Sequence, residues 1–261
     1  MMSNDHRQSF IRLFNGTARN HRRFDVFRDF VTIAAYSFHN AVFMNQEFED
    51  DYLSIIKCYK KDDVTNMCHL LAELTMGLEA RTCDFLGSVF MELELGSRHT
   101  GQFFTPYEVA KLMAVLTHGD SISNSADKPF ITLSEPACGA GGMAIAFVEA
   151  MLESGVNPQK KLWVSCWDLD PVAAMMCYLQ LSLLHIPAEV VTGNTLSLES
   201  SRIMRTPAHY LGFWDSKLKA HWKNDIKETV LTPTNEKQVI IPVASMNQAE
   251  SSQLSLFDFT A

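Results

Sequence analysis

A chain of 261 residues, 47% hydrophobic and 20% charged, has room for one sizeable core or for a small domain beside a larger one, and most of it should fold. Its formal net charge of -8 argues against a protein that grips DNA unaided, so a nucleic-acid role would need a local basic patch or a tether. The start, MMSNDHRQSF, has no apolar signal region and no apolar run is long enough for a bilayer, so a cytoplasmic protein without membrane contact is expected.

Residues 1–98 carry apolar residues at helical spacing with little Gly or Pro, which predicts a helical N-terminal domain. Within it, 24–43 reads as one helix and 63–95 as a longer helical stretch broken near Gly77 or Gly87. From 100 to about 200, strand and helix patterns alternate, which predicts a parallel α/β sheet; this second domain is taken as 99–245, with a polar tail over 246–261. The six cysteines form no CxxC pair, and reduced, buried thiols are expected. His69, His118 and His185 stand singly, without ligand spacing, so no metal is expected.

In GQFFTPYEVAKLMAVL (101–116), Thr105 reads as an N-cap, Pro106 as a first helical residue and Glu108 as the partner in a capping box. That leaves Gln102, Phe103 and Phe104 unexplained, and two aromatics ahead of a helix suit the wall of a flat ligand. Next, FITL (130–133) predicts a buried strand, SEPACGAGG a turn, and MAIAFVEAML (143–152) a helix closed by Ser154-Gly155. Gly139, Gly141 and Gly142 allow a ligand close to the backbone, and the helix amides favour a negative group. The loose GxGxxG/A match is weak by itself, and a tight turn with no ligand explains the glycines equally well.

Two further units narrow the choice. KLWVSCWDLDP (161–171) predicts a strand ending in Asp168, with Asp170-Pro171 starting a helix over 172–186. An acid there can accept from both hydroxyls of a ribose, in NAD or in S-adenosylmethionine alike. AEVVTGNTL (188–196) predicts a third strand followed by Gly193-Asn194, where an Asn can read an adenine edge.

Taken in order, GQFFTP, EPACGAGG, WDLDP and GNTL resemble the N6-adenine DNA methyltransferases, most of all the modification subunits of type I restriction-modification systems. DFLGSVFMELELG (84–96) resembles the helix that leads into GQF(F/Y)TP in that family. The resemblance implies an α/β, Rossmann-like methyltransferase fold behind the helical domain, with S-adenosylmethionine as cofactor. It implies that Gln102, Phe103, Phe104 and Thr105 line the cofactor and that Glu135, where the family has Asp, faces its methionyl part. Ala137, Cys138, Gly139, Ala140, Gly141 and Gly142 would pass beneath it, Asp168 would hold the ribose, and Asn194, where the family has Asp, would meet the adenine.

The family's acceptor motif, (N/D)-P-P-(Y/F), does not occur in the sequence. That motif accepts the two N–H bonds of the target adenine and stacks an aromatic on the flipped base. The nearest segment is Thr206-Pro207-Ala208-His209-Tyr210, which offers Thr206, Pro207 and Tyr210 but an extra residue and a poor acceptor. Only KQVIIPV (237–243) reads as a strand beyond 200, so a truncated sheet is expected. Two readings stand: a DNA adenine-N6 methyltransferase or subunit, and an inactive relative that binds cofactor and acts by interaction, for example as a restriction-modification decoy. A blander third, an interaction protein that binds neither cofactor nor DNA, sits poorly with the glycines and Asp168.

The tail adds a partner. Gln253, Leu254, Ser255, Leu256 and Phe257 form QLSLF, which resembles the peptide by which bacterial proteins bind the β sliding clamp of DNA polymerase III. A clamp would hold this acidic chain beside DNA, which it would bind only weakly alone. Other subunits of a restriction-modification type are further expected partners.

Overall fold

The structure, a computed structural model, describes residues 2–96, 104–123 and 128–231. Gln102, Phe103, the segment 237–243 expected as a strand and the QLSLF peptide lie outside these residues.

The chain opens with helices α1 (Met2–Gly16), α2 (Arg23–Asn40) and α3 (Gln46–Ile56), then α4 (Lys61–Ala80) and α5 (Phe85–Glu92). Phe10, Phe14, Phe27 and Phe30 recur at helical spacing and are all buried, which is why these segments are amphipathic helices. Phe10 meets Phe30 at 5.6 Å and Phe85 at 5.7 Å, both edge-on. The turn into α2 is held by the Arg23 guanidinium, which donates to the carbonyls of Phe14, Thr17, Ala18 and His21.

The stretch 63–95 breaks at 81–84, between the two glycines expected to break it. Asp84 caps α5 by accepting from Gly87 N at 2.8 Å. Gly77 is a packing site instead: a Cβ there would stand 2.4 Å from the Phe85 ring, so its lack of a side chain lets α5 close onto α4.

Helix α6 (Tyr107–Ser123) comes next. It begins just past the expected Thr105 and Pro106, with Pro106 O accepting from Ala110 N, and Glu108 pairs with Arg81 at 3.2 Å rather than closing a capping box. The alternating part then runs β1 (Ile131–Glu135), α7 (Gly142–Glu153), α8 (Pro158–Lys161), β2 (Leu162–Asp168), α9 (Pro171–Leu183) and β3 (Ala188–Asn194). A strand absent from the sequence reading, β4 (Glu199–Arg205), follows. The sheet order is β1-β2-β3-β4, with the first three strands parallel and β4 antiparallel on β3. Asp170 caps α9 by accepting from Val172 N at 2.8 Å with Pro171 behind it, as the sequence predicts. Gly155, at φ 75, ends the turn after α7.

Every residue of α9 from Val172 to Ser182 is buried, because it lies between the strands on one side and α2 on the other. The helical part and the sheet therefore share one core, and Met1–Lys219 make one compact unit. Short α10 (Pro207–Leu211) and α11 (Trp214–Leu231) complete the described chain. Trp214 is buried and meets Phe130, at the start of β1, at 5.1 Å. A second unit, Ala220–Ala261, begins within α11.

Candidate cofactor site

Parallel strands present their carboxyl ends at one edge, and here these ends are Glu135, Asp168 and Asn194. The turn between β1 and α7 is shaped by two glycines in the left-handed region, Gly139 at φ 54 and Gly141 at φ 96. A Cβ on Gly139 would stand 2.9 Å from the Phe104 ring, so the bare backbone lets that ring close over the turn. Phe104 is itself propped by Phe90 of α5 at 5.3 Å. A cavity of about 250 Å³ opens here, lined by Phe104, Thr105, Ala137–Ala140, Gly142, Met143, Asp84 and Asp168.

Of the expected site residues within the described chain, Phe104, Thr105, Ala137, Cys138, Gly139, Ala140, Gly142 and Asp168 line this cavity. Gly141 stands in the same turn and caps α7. Glu135 ends β1 and accepts weakly from Ala137 N at 3.4 Å; burial pushes its carboxyl pKa up. The Asp168 carboxylate accepts from Gly139 N at 2.7 Å and from Asp170 N at 2.9 Å. Each of its oxygens keeps a further lone pair for a ligand hydroxyl. Asn194 lies at the exposed end of β3, with its carbonyl accepting from Leu196 N at 2.9 Å. It is not brought into the cavity wall.

A larger cavity, about 370 Å³, lies at the amino ends of β2 and β3. It is lined by residues such as Leu152, Asn157 and Ile186 and by no ionisable side chain, so it offers no comparable chemistry.

Two buried polar residues, Asp84 in the cavity wall and Gln180 behind it, escaped the sequence reading. Gln180, in the middle of α9, donates from Nε2 to Asp84 Oδ1 at 2.9 Å and to Ala140 O at 2.8 Å. Its Oε1 accepts from Leu86 N at 2.9 Å. One amide thus ties α5, α9 and the glycine turn together. The only hint in the sequence is the Asp-x-x-Gly spacing of Asp84 and Gly87.

Burial raises the Asp84 carboxyl pKa, against the opposing hydrogen bonds from Gln180 and Gly87. Between the ordinary carboxylate value of about 3.9 and that raised value, the folded chain binds this proton and the unfolded chain does not. The contribution of Asp84 to stability therefore falls as pH rises through that window. Relative to Asp84→Asn, the wild type should lose stability from about pH 4 upward; urea midpoints of both proteins across pH check this, and an opposite slope in the difference would refute it.

The segment Thr206–Tyr210 is a different kind of place. β4 runs back along β3, so Arg205 pairs with Glu189 and the segment sits at the amino end of β3. That is about 20 Å along the strand from the Asn194 end, at about 3.3 Å per residue. Thr206 is fully buried; its hydroxyl donates to Ile186 O at 2.7 Å and accepts from Ala188 N at 2.9 Å. Pro207 starts α10, and Tyr210 stacks on Phe43 at 5.2 Å. The structure thus does not bring Thr206, Pro207 and Tyr210 to the cavity: they close a corner of the fold at the amino end of β3.

Three cysteines converge beneath the turn. The Sγ atoms of Cys138, Cys166 and Cys177 lie within 4.8 Å of one another, from the turn, β2 and α9. Hydrogen bonding among them pushes the Cys166 thiol pKa down and those of Cys138 and Cys177 up.

No curated protein matches the chain. It is similar to a crystal structure of a putative class I S-adenosylmethionine-dependent methyltransferase from Listeria monocytogenes, at 14% identity and a TM-score of 0.42. That likeness covers 74% of this chain and 55% of the other, so this chain spans about half the length of that protein. The family profile described as N-6 DNA methylase matches residues 90–247, a span that holds the glycine turn, the three strand ends and every residue lining the cavity except Asp84. The chain belongs to the N-6 DNA methylase family, whose cofactor is S-adenosylmethionine.

Proposed function

We propose that this chain is the cofactor-binding part of a DNA adenine-N6 methyltransferase, working as an enzyme or as a subunit of one. The observation that carries this reading is the cavity at the strand ends, where two left-handed glycines, an aromatic ring and a strand-end carboxylate converge. The residues fit the group. The amides that open α7 face the same cavity through Gly142 and Met143 and suit the cofactor's carboxylate. Asp168 has lone pairs left for the ribose hydroxyls. Phe104 and Thr105 close the side of the cavity next to the turn. Bound S-adenosylmethionine supplies an electrophilic methyl group on its sulfonium. The chain's part is to orient that group and keep water from it.

A second reading is that the chain binds cofactor without transferring the methyl group. The placement of Thr206–Tyr210 favours it, since the nearest approach to an acceptor motif lies away from the cavity. Under either reading we place the chain beside DNA through Gln253–Phe257 on the sliding clamp, which answers the net charge of -8. Companion subunits would then supply DNA recognition.

The test is methyl transfer from labelled cofactor to mixed DNA, run beside calorimetric titration with S-adenosylmethionine, in the presence and absence of clamp. Transfer supports the enzyme, binding alone supports the second reading, and no binding at millimolar cofactor refutes both. Asp168→Ala removes the ribose acceptor, the hydrogen bond from Gly139 N of the turn and the one from Asp170 N at the start of α9. It should weaken cofactor binding by about 1–3 kcal/mol, roughly 5- to 150-fold. Titration of the folded variant checks this, and unchanged affinity would take Asp168 out of the site.

A further inference from the structure

Cys138, Cys166 and Cys177 come from three elements and meet at one point, with their Sγ atoms within 4.8 Å of one another. Cys166 and Cys177 are fully buried, and Cys138 is 5% exposed. Two neighbouring thiols in a core are ordinary packing. Three that converge make a donor set. A trigonal ion with metal–sulfur bonds of about 2.3 Å holds its sulfurs about 4 Å apart, inside the span these side chains already occupy.

The donor chemistry narrows the ion. The cluster holds no histidine or carboxylate, so every ligand is soft. Structural zinc sites take four protein ligands, whereas cuprous copper is satisfied by three thiolates. Cys138 lines the cofactor cavity, which gives the ion a route from solvent.

We propose that Cys138, Cys166 and Cys177 form a three-thiolate site for Cu(I), fastening the cofactor turn to β2 and α9. Each ligating thiol releases its proton to solvent as a Cu–S bond forms. Copper arrives and remains as Cu(I), so no electron is transferred. The turn is already joined to β2, through Cys138 N on Trp167 O at 2.8 Å and Gly139 N on Asp168 at 2.7 Å. Bound copper would add a third attachment and couple metal occupancy to cofactor affinity. That coupling rests on the cofactor reading above; the metal site does not.

The experiment uses the full-length reduced chain under anaerobic conditions, titrated with Cu(I) as its acetonitrile complex against a chromophoric Cu(I) chelator. One ion per chain should be withheld from the chelator, with a three-sulfur shell in X-ray absorption. A triple variant, Cys58→Ser with Cys68→Ser and Cys83→Ser, should keep this ion, and Cys166→Ser should lose it. If Cys166→Ser fails to fold, the triple variant still decides. Loss of copper in the triple variant, a shell of fewer than three sulfurs, or no ion withheld in the wild type overturns the proposal. A chain that holds copper but binds no S-adenosylmethionine leaves the metal site standing and removes the cofactor reading instead.

Discussion

Gln180→Leu should destabilise the chain by about 3–5 kcal/mol, although leucine fills nearly the same volume. Gln180 is fully buried and makes three hydrogen bonds, to Leu86 N, Asp84 Oδ1 and Ala140 O. Leucine leaves all three partners without their bond to Gln180. The Asp84 carboxyl suffers most, because among the described residues Gln180 is one of its two hydrogen-bond donors and the other is Gly87 N. An unsatisfied buried neutral group costs about 1–3 kcal/mol and a charged one more. Gln180→Glu should be at least as damaging, since it turns a second carboxylate toward Asp84 and toward the Ala140 carbonyl. Urea unfolding of the three proteins at neutral pH measures the effect. A loss below about 1 kcal/mol for both variants would show that the network contributes little. Because Ala140 belongs to the glycine turn, the folded fraction of either variant should also bind cofactor less tightly.

That network explains why some of the site was legible in the sequence and some was not. The turn, Asp168 and the caps of α9 were legible because each is a local event. Glycines adopt left-handed angles, Asp170-Pro171 starts a helix, and an acid ends an apolar strand, all within a few residues. Asp84 and Gln180 stand 96 positions apart, each a single polar residue in a helical pattern, and no local signal joins them. The three cysteines are scattered for the same reason: a turn, a strand and a helix deliver one each. Gly77 misled because a glycine in a helical pattern reads as a break, whereas here it serves contact with Phe85. Strand β4 was hidden by its composition. ESSRIMR is largely polar and its first three residues are exposed, so it lacks the alternation that marks a half-buried strand. It forms by adding to an existing edge, β3, and that hairpin carries Thr206–Tyr210 to the far end of the sheet.

The same hairpin yields the other large expected effect. Gly193→Ala should cost about 2–4 kcal/mol, more than the usual 1–3 kcal/mol for overpacking. Gly193 faces Ser200 across the β3–β4 pair, where the register shifts between Thr192 and Gly193. A Cβ at this position would lie 2.4 Å from Glu199 O and 2.8 Å from Ser200 Cα. Both are backbone atoms, so no side-chain rotation relieves the overlap. Either the strands part locally and lose ladder hydrogen bonds, or β3 shifts against β2, to which it is bonded from Val164↔Ala188 to Asp168↔Thr192. The second route would displace the strand end beside Asp168 and carry the damage to the cofactor edge. Denaturation and cofactor titration together tell the routes apart. Lost stability with unchanged cofactor affinity means that β4 peels away, whereas loss of both means that β3 moves. A variant as stable as the wild type would show that the close approach at Gly193 is not a constraint on the fold.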